Sequence, residues 1–158
     1  MQTKIEEIIE KLKITKHIFI IGNGGSASLA DHFACDLLKN CDLPAISLCS
    51  NQALITAIAN DIDFDEIFVK QLQILFKEGD TLVAFSTRGN SSNIIHAAQH
   101  IYHRVGTIIG IAGFDGGELK KWSHIFYHID SSDMQECEDK MLEFCHKIYK
   151  ELKNGRKG

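Results

Sequence analysis

The segment His17-Ile-Phe-Ile-Ile-Gly-Asn-Gly-Gly-Ser26 decides the fold of this chain. Its first five residues form an apolar run of strand length, and the helical pattern of residues 27–39 follows the glycines directly. A glycine-rich turn between a strand and a helix is typical of an anion site. The first amides of a helix have no intrahelical partner, and glycines let a ligand approach the backbone closely. The segment therefore predicts an α/β fold with a site for a negatively charged group.

A second turn of this kind follows the apolar run Thr81–Phe85. It reads Ser86-Thr-Arg-Gly-Asn-Ser-Ser92, and a helical pattern over 91–103 comes after it. Its hydroxyl groups and the guanidinium of Arg88 suit phosphate oxygens. For either turn alone, serines and asparagines that only cap a helix are the alternative. The two turns together favour a site for a phosphorylated small molecule.

The rest of the chain alternates strand and helix patterns. Three more apolar runs lie at 45–48, 107–111 and 125–129. The helical patterns lie at 4–13, 27–39, 52–60, 65–76, 91–103 and 133–153, with a short turn near 117–122. Strands without strict alternation, separated by helices, indicate a parallel sheet covered on both faces. We predict one domain over residues 1–158, a three-layer αβα sandwich with a five-stranded parallel sheet. Both turns then lie at the carboxyl ends of strands, where such sheets bind ligands.

The composition bears on partners and compartment. The net charge of −4 and the pI near 6.0 disfavour a nucleic-acid surface. No apolar stretch approaches the roughly 20 residues that a membrane span needs, and the charged N-terminal segment lacks a signal-peptide core. The five cysteines are an odd number without CxxC spacing, which indicates neither a disulfide framework nor a zinc ribbon. We predict a cytoplasmic protein.

Two pairs of side chains could carry chemistry. His32 and Asp36 are four residues apart on the helix after the first turn, and Glu138 and His146 are eight apart on the last helix. Imidazole and carboxylate groups bind zinc and transfer protons. An ordinary surface histidine and a solvated acidic face are the alternatives, and spacing alone does not bring the two helices together. Asp61 ends a helical pattern, so it is either part of a helix stop or a contact to ligand hydroxyls.

Four segments in this order resemble the SIS (sugar isomerase) domain, and more narrowly the phosphoheptose isomerases. They are Gly22-Asn-Gly-Gly-Ser-Ala-Ser28, His32-Phe-Ala34, Leu54-Ile-Thr-Ala-Ile-Ala-Asn-Asp61 and Ser86-Thr-Arg-Gly-Asn-Ser91. The resemblance implies the isomerisation of sedoheptulose 7-phosphate to D-glycero-D-manno-heptose 7-phosphate through an enediol. It also implies a flavodoxin-like αβα fold, a zinc ion, and a homotetramer or dimer with active sites at subunit interfaces. The heptose would feed a lipopolysaccharide or capsule pathway.

The resemblance also implies roles for individual residues. It makes Ser26, Ser86, Thr87 and Ser91 phosphate-binding positions, to which the chemistry of the two turns adds Gly24, Gly25 and Arg88. Asn23 and Asp61 would contact the sugar. The metal ligands would be His32, Asp36, Glu138 and His146. Within this set Asp36 would be the catalytic base and His146 the acid, contributed across the subunit interface. The eight-residue spacing from Glu138 to His146 supports this register over one anchored on Gln135.

Three residues depart from the family pattern. This chain has Asp36 where the family usually has Glu, Glu138 where it has Gln, and Arg88 where it has Ser. The shorter Asp36 withdraws the carboxylate, and misplacement by about 1 Å can cost roughly 10²-fold in rate. Glu138 adds a negative charge that would tighten a divalent cation. The alternative hypothesis is therefore a non-catalytic SIS regulator that binds a sugar phosphate and a protein partner such as the replication initiator.

Overall fold

A computed structural model describes residues 2–104 and 106–155 of the chain. The strands of its sheet are β1 Ile18–Ile21, β2 Ala45–Ser47, β3 Thr81–Phe85, β4 Thr107–Ala112 and β5 Ile125–His128. The α-helices are α1 Gln2–Ile14, α2 Gly25–Cys41, α3 Gln52–Asp61, α4 Val69–Leu75, α5 Ser92–Tyr102, α6 Gly117–Lys121 and α7 Met134–Gly155. The predicted α/β class is confirmed.

All neighbouring strands pair in parallel, in the order β2-β1-β3-β4-β5. The chain passes from β1 to β2 on one side and then returns to β3 on the other, where Ile18 pairs with Thr81 and Ile21 with Ala84. The carboxyl ends of β1 and β3 therefore form the topological switch point, where open α/β sheets bind ligands. The two serine-bearing turns follow these two strands.

Alternate residues of β1 enter opposite cores, because successive strand side chains point to opposite faces. Ile18 and Ile20 pack with residues of α1, α2 and α7, whereas Phe19 and Ile21 pack with residues of α4, α5 and α6. Helices thus cover both faces of the sheet, as the predicted three-layer sandwich requires. No helix in the described part of the chain has the length and apolar character needed to cross a bilayer.

The segment predicted as one helix over 65–76 is divided. A short 3₁₀ turn, Phe64–Glu66, precedes α4. The carboxylate of Asp63 accepts a hydrogen bond from the amide of Asp65 at 2.8 Å, which favours a tight local turn over the start of a regular helix. The neighbouring helix α3 buries little, since Ile58 is its one buried residue.

Candidate active site

The two serine-bearing turns enclose a cavity of about 260 Å³ at the switch point. Seven of the residues predicted to bind phosphate or sugar line it: Asn23, Gly24, Gly25, Ser26, Ser86, Thr87 and Ser91. The structure thus brings together two turns that lie about 60 positions apart in the sequence. Ser86 and Ser91 are themselves in contact, since the Ser86 hydroxyl donates to the Ser91 hydroxyl at 3.2 Å.

Three helices begin at this cavity. Gly24 is the N-cap of α2, Ser91 is the N-cap of α5, and Met134 is the first residue of α7. Each helix N-terminus carries a partial positive charge, so three of them around one space attract an anion. No lysine or arginine is among the described residues that line the cavity. Its affinity for an anion therefore depends on helix ends, hydroxyl groups and amides.

An amide pair joins the two turns behind the cavity. The side-chain amide of Asn23 donates to Asn93 at 2.8 Å, and that of Asn93 donates back at 2.9 Å. Asn93 is almost fully buried, and the sequence analysis assigned it no role. The sequence feature that could have identified Asn93 is its place on the buried face of the α5 pattern, four residues before Ala97. A buried polar group requires a hydrogen-bond partner, so an asparagine there indicates a contact with another polar group.

Two of the glycines at the cavity are required for different reasons. Gly24 has φ +54, a left-handed backbone conformation that other residues rarely adopt, but a Cβ there would meet open space. Gly25 has no such φ, yet a Cβ at this position would lie 2.7 Å from both carboxylate oxygens of Glu138. Glu138 itself lines the cavity. The carboxylate of Glu138 therefore rests against the N-terminus of α2.

Two predicted ligand contacts lie outside the cavity. The Arg88 guanidinium lies over the ring of Phe114, 5.4 Å from the ring centre, and Arg88 lines a different cavity. A cation over an aromatic ring is stabilised, which favours this position of the guanidinium. Asp61 is exposed at the end of α3, and its carboxylate accepts from the side chain of Asn60 at 2.9 Å. Asp61 is not among the described residues that line this cavity.

The second group of predicted residues meets between α2 and α7. The Nε2 atoms of His32 and His146 are 3.0 Å apart, and His32 Nε2 is 3.4 Å from Oδ2 of Asp36. One ligand atom from each of the three side chains lies within 4.8 Å of the others. Asn40 also donates to Asp36 at 3.3 Å. Glu138 does not join this group, because its carboxylate lies beside Gly25, about 12 Å of helix rise from His146.

The packing of α2 on α7 explains the cluster. Phe33 and Cys145 are buried in the shared core, and His32 and His146 are their immediate neighbours in sequence, at the rim of the helix contact. The His32 side chain is 49% exposed and Asp36 15% exposed, so solvent reaches the group. His146 meets His32 within one chain, whereas the resemblance implied a contribution across a subunit interface. The pairing of α2 with α7 places His146 beside His32 of its own chain, and the contribution across a subunit interface stays a prediction.

The donor set fits a zinc ion. Two ligands of one tetrahedral zinc, each about 2.0–2.1 Å from the ion, lie roughly 3.3 Å apart. The separations of 3.0 Å and 3.4 Å around His32 are close to this value. Two imidazoles and one carboxylate, with a fourth position left open, are a ligand set of catalytic zinc sites.

Nearby thiols are poor candidates for metal binding or nucleophilic chemistry. Burial, with the charge of Asp36 as a smaller cause, raises the pKa of Cys145 well above its ordinary value. Burial also raises the pKa of Cys49, whose thiol lies 3.4 Å from the carbonyl of Gly22. Both thiols stay protonated at neutral pH, and only a thiolate attacks or binds a metal strongly.

Comparison with known proteins identifies the relatives. Residues 1–113 match the model of the SIS domain family. The phosphoheptose isomerase of Campylobacter concisus is 33% identical over 153 residues, covering 94% of this chain and 81% of that protein. The phosphoheptose isomerase of Alteromonas mediterranea is 44% identical over 117 residues, covering 71% of this chain and 59% of that protein. The match thus spans less than two thirds of the Alteromonas protein.

Solved structures give the same result. The phosphoheptose isomerase of Neisseria gonorrhoeae superposes with a TM-score of 0.88 at 30% identity, covering 95% of this chain and 83% of that one. The phosphoheptose isomerase from Francisella tularensis superposes with a TM-score of 0.89 at 28% identity, covering 96% and 85%. The chain belongs to the SIS domain family, in the branch of the phosphoheptose isomerases.

Proposed function

We propose that the chain is a phosphoheptose isomerase that converts sedoheptulose 7-phosphate to D-glycero-D-manno-heptose 7-phosphate. The observation that carries the proposal is the presence of two complementary sites on the same pair of helices. The cavity at the starts of α2 and α7 suits a phosphate. The cluster of His32, Asp36 and His146 further along the same helices suits proton transfer at a carbonyl.

The spacing of the two sites supports a long sugar phosphate. His32 is seven positions after Gly25, which corresponds to about 10 Å along α2. In an extended seven-carbon 2-ketose, the phosphorus and the carbonyl carbon are separated by roughly 9 Å, for carbon–carbon bonds of about 1.5 Å. A ligand held by its phosphate at Ser26 and Ser86 would therefore present its carbonyl end to the cluster.

The proposed reaction moves one proton between neighbouring carbons. Asp36 removes the proton from the carbon beside the carbonyl and returns it to the former carbonyl carbon, so that an enediol forms and collapses. His146 donates a proton to one oxygen and accepts one from the other. The hydrogen bond from Asn40 to Asp36 and the contact of His146 with His32 support these roles, because they hold both side chains in place.

We propose that His32, Asp36 and His146 hold one zinc ion per chain. Zinc would supply a Lewis acid that stabilises negative charge on the sugar oxygens. Asp36 could bind the ion through one carboxylate oxygen and accept the proton on the other, whereas Nε2 of His146 can donate a proton only while it is not bound to zinc. Glu138, which the resemblance placed among the ligands, is left out of this proposal because its carboxylate contacts Gly25 instead.

Self-association would complete the site. On and beside α3, Leu54, Ile62 and Phe64 are 38%, 57% and 53% exposed. Such an exposed apolar face is typical of a surface that pairs with another chain. We propose that a second copy of this chain covers it, in a dimer or a homotetramer, and that Asp61 at the end of α3 contacts the sugar bound by that copy.

The alternative of a non-catalytic regulator is less well supported. Binding a sugar phosphate needs the cavity alone, whereas the imidazole–carboxylate cluster has a use in proton transfer.

The reducing cytoplasm is the proposed compartment, and the absence of disulfides among the described residues is compatible with it. The heptose product would supply a lipopolysaccharide or capsule pathway.

A direct assay tests the proposal. The purified chain, with and without added zinc, is incubated with sedoheptulose 7-phosphate, and the aldose product is followed by NMR. Exchange of solvent deuterium into the carbon next to the carbonyl would report the enediol independently of net turnover. Neither product nor exchange under both conditions would refute the isomerase.

A further inference from the structure

Glu138 brings a negative charge into the cavity that the proposed function assigns to phosphate. It is the fifth residue of α7, and its side chain reaches the start of α2, where its oxygens lie 2.7 Å from the Cβ position of Gly25. Helical side chains lean toward the N-terminus of their own helix, which directs Glu138 toward the cavity at Met134. The contact is possible only because Gly25 has no side chain.

No basic side chain among the described lining residues offsets this charge. Apart from Glu138, the described lining residues are uncharged. In the described ranges, 2–104 and 106–155, Glu138 forms no ion pair within 4.0 Å, and its neighbour Lys140 is paired with Glu136 at 2.8 Å. The Glu138 carboxylate thus lies at the N-terminus of α2, whose partial positive charge would also attract a phosphate.

We infer that Glu138 is an internal anion that competes with the phosphate of the ligand for the N-terminus of α2, and so determines how tightly the cavity holds a dianion. This inference rests on the phosphate end of the proposed function. A phosphate entering between the two serine turns either displaces the Glu138 carboxylate or binds against its charge. In both cases the carboxylate lowers phosphate affinity, and it stabilises α2 while the phosphate is absent.

The test compares the full chain with two variants of α7. Glu138→Gln keeps the size of the side chain and removes its charge. Glu143→Gln removes the same charge from the same helix, but Glu143 lines a different cavity, beside β5. Isothermal titration calorimetry measures the Kd of inorganic phosphate and of sedoheptulose 7-phosphate for each protein. Thermal denaturation with and without phosphate measures Tm.

The two variants are expected to differ. Glu138→Gln should tighten the binding of both ligands by about 10-fold, because it removes a like charge a few ångströms from the phosphate. It should also lower Tm in phosphate-free buffer and gain more Tm from added phosphate than the unaltered chain does. Glu143→Gln should leave both Kd values within about 2-fold, since its charge is remote and screened. Glu138→Asp, which keeps the charge but withdraws it, should fall between the unaltered chain and Glu138→Gln.

The possible failures are distinguishable. Unchanged or weaker phosphate binding by Glu138→Gln overturns the inference, and so does an equal gain in Glu143→Gln, which would trace the effect to net charge. Turnover of sedoheptulose 7-phosphate by the unaltered chain would still support the proposed function in those cases. Conversely, a gain in phosphate affinity in Glu138→Gln but not in Glu143→Gln supports the role of Glu138 as an internal anion, even if the chain shows no isomerase activity.

Discussion

The Nε2 atoms of His32 and His146 lie 3.0 Å apart, although 114 positions separate the two residues in the chain. This distance suits a hydrogen bond between the rings when one of the two nitrogens carries the hydrogen. The carboxylate of Asp36, 3.4 Å from Nε2 of His32, lies at the same point. The contact joins α2 to α7.

Replacing His146 tests its role as the acid. His146→Ala is expected to lower kcat by at least about 10²-fold, since general acid–base catalysis contributes roughly 10²–10⁴-fold. Phosphate affinity should change little, because His146 lies far along α7 from the phosphate cavity. Steady-state kinetics and calorimetry measure the two effects. His96→Ala, which removes an exposed histidine of α5, is the control. Normal turnover by His146→Ala would refute the assignment.

Zinc binding should depend on the three clustered residues. We expect the unaltered chain, dialysed against zinc, to retain about one ion, as the three-ligand set predicts. His32→Ala and Asp36→Asn should weaken zinc binding strongly, because each removes one of three protein ligands. Glu143→Gln is the charge-matched control, and Glu138→Gln should also retain the ion. Mass spectrometry of bound metal and titration against a chelating dye provide the measurements. Equal zinc retention by His32→Ala would exclude this site.

We expect phosphate affinity to depend on the serine turns and not on Arg88. Ser86→Ala is expected to weaken sugar-phosphate binding by about 1.5–3 kcal/mol, the usual value of a hydrogen bond to a charged group. Arg88→Ala should leave affinity within about 2-fold despite the loss of a cation, because this guanidinium stacks on Phe114 outside the cavity. Calorimetry with sedoheptulose 7-phosphate compares them. A larger loss in Arg88→Ala than in Ser86→Ala would show that the arginine turns inward to bind phosphate.

The second turn should tolerate no side chain at Gly89. Its φ is +71, and a Cβ there would lie 2.1 Å from the carbonyl oxygen of Gly116, a backbone atom that cannot move aside. Gly89→Ala should therefore lower the free energy of unfolding by about 2–4 kcal/mol, from backbone strain and overpacking together. Gly24→Ala is the matched comparison, because it has φ +54 in open space and should lose only about 1–2 kcal/mol. Urea denaturation measures both, and equal losses would contradict the crowding at Gly89.

Mixing two inactive variants tests whether Asp61 acts in the site of a second copy. Asp61→Ala and His146→Ala should each be poorly active alone. If subunits exchange and Asp61 serves the neighbouring site, each mixed dimer contains one intact site, so activity should recover to about a quarter of that of the unaltered chain. If Asp61 serves its own chain, mixing should restore nothing.

Phe64→Ser, which removes one large apolar side chain from the exposed face on and beside α3, should shift the chain toward monomer in light scattering.

Much of the fold was predictable because the local patterns agreed with each other. The five apolar runs became the five strands, since a run such as Ile18–Ile21, buried on both faces, has no other stable place in a small α/β protein. The cavity was predictable in the same way. Two turns at the ends of adjacent parallel strands must lie side by side.

The positions of single side chains were less predictable. Arg88 belongs to the second serine-bearing turn, but the direction of its side chain depends on the ring of Phe114, 26 positions later. Glu138 and His146 occupy the same helix eight residues apart, and only the packing of α7 on α2 determines that one reaches Gly25 and the other His32. Asn93 was missed because its partner, Asn23, is 70 positions away. Such contacts depend on tertiary packing, which local periodicity does not contain.

If the sugar phosphate binds as proposed, the parallel course of α2 and α7 relates substrate size to helix geometry. One helical turn advances about 5.4 Å, or roughly four bonds of an extended carbon chain. A relative whose histidine and carboxylate stood one turn nearer Gly25 would therefore accept a much shorter phosphorylated ketose with the same serine turns. Chain-length selectivity could thus change through the position of two residues on α2 and one on α7, without any alteration of the sheet.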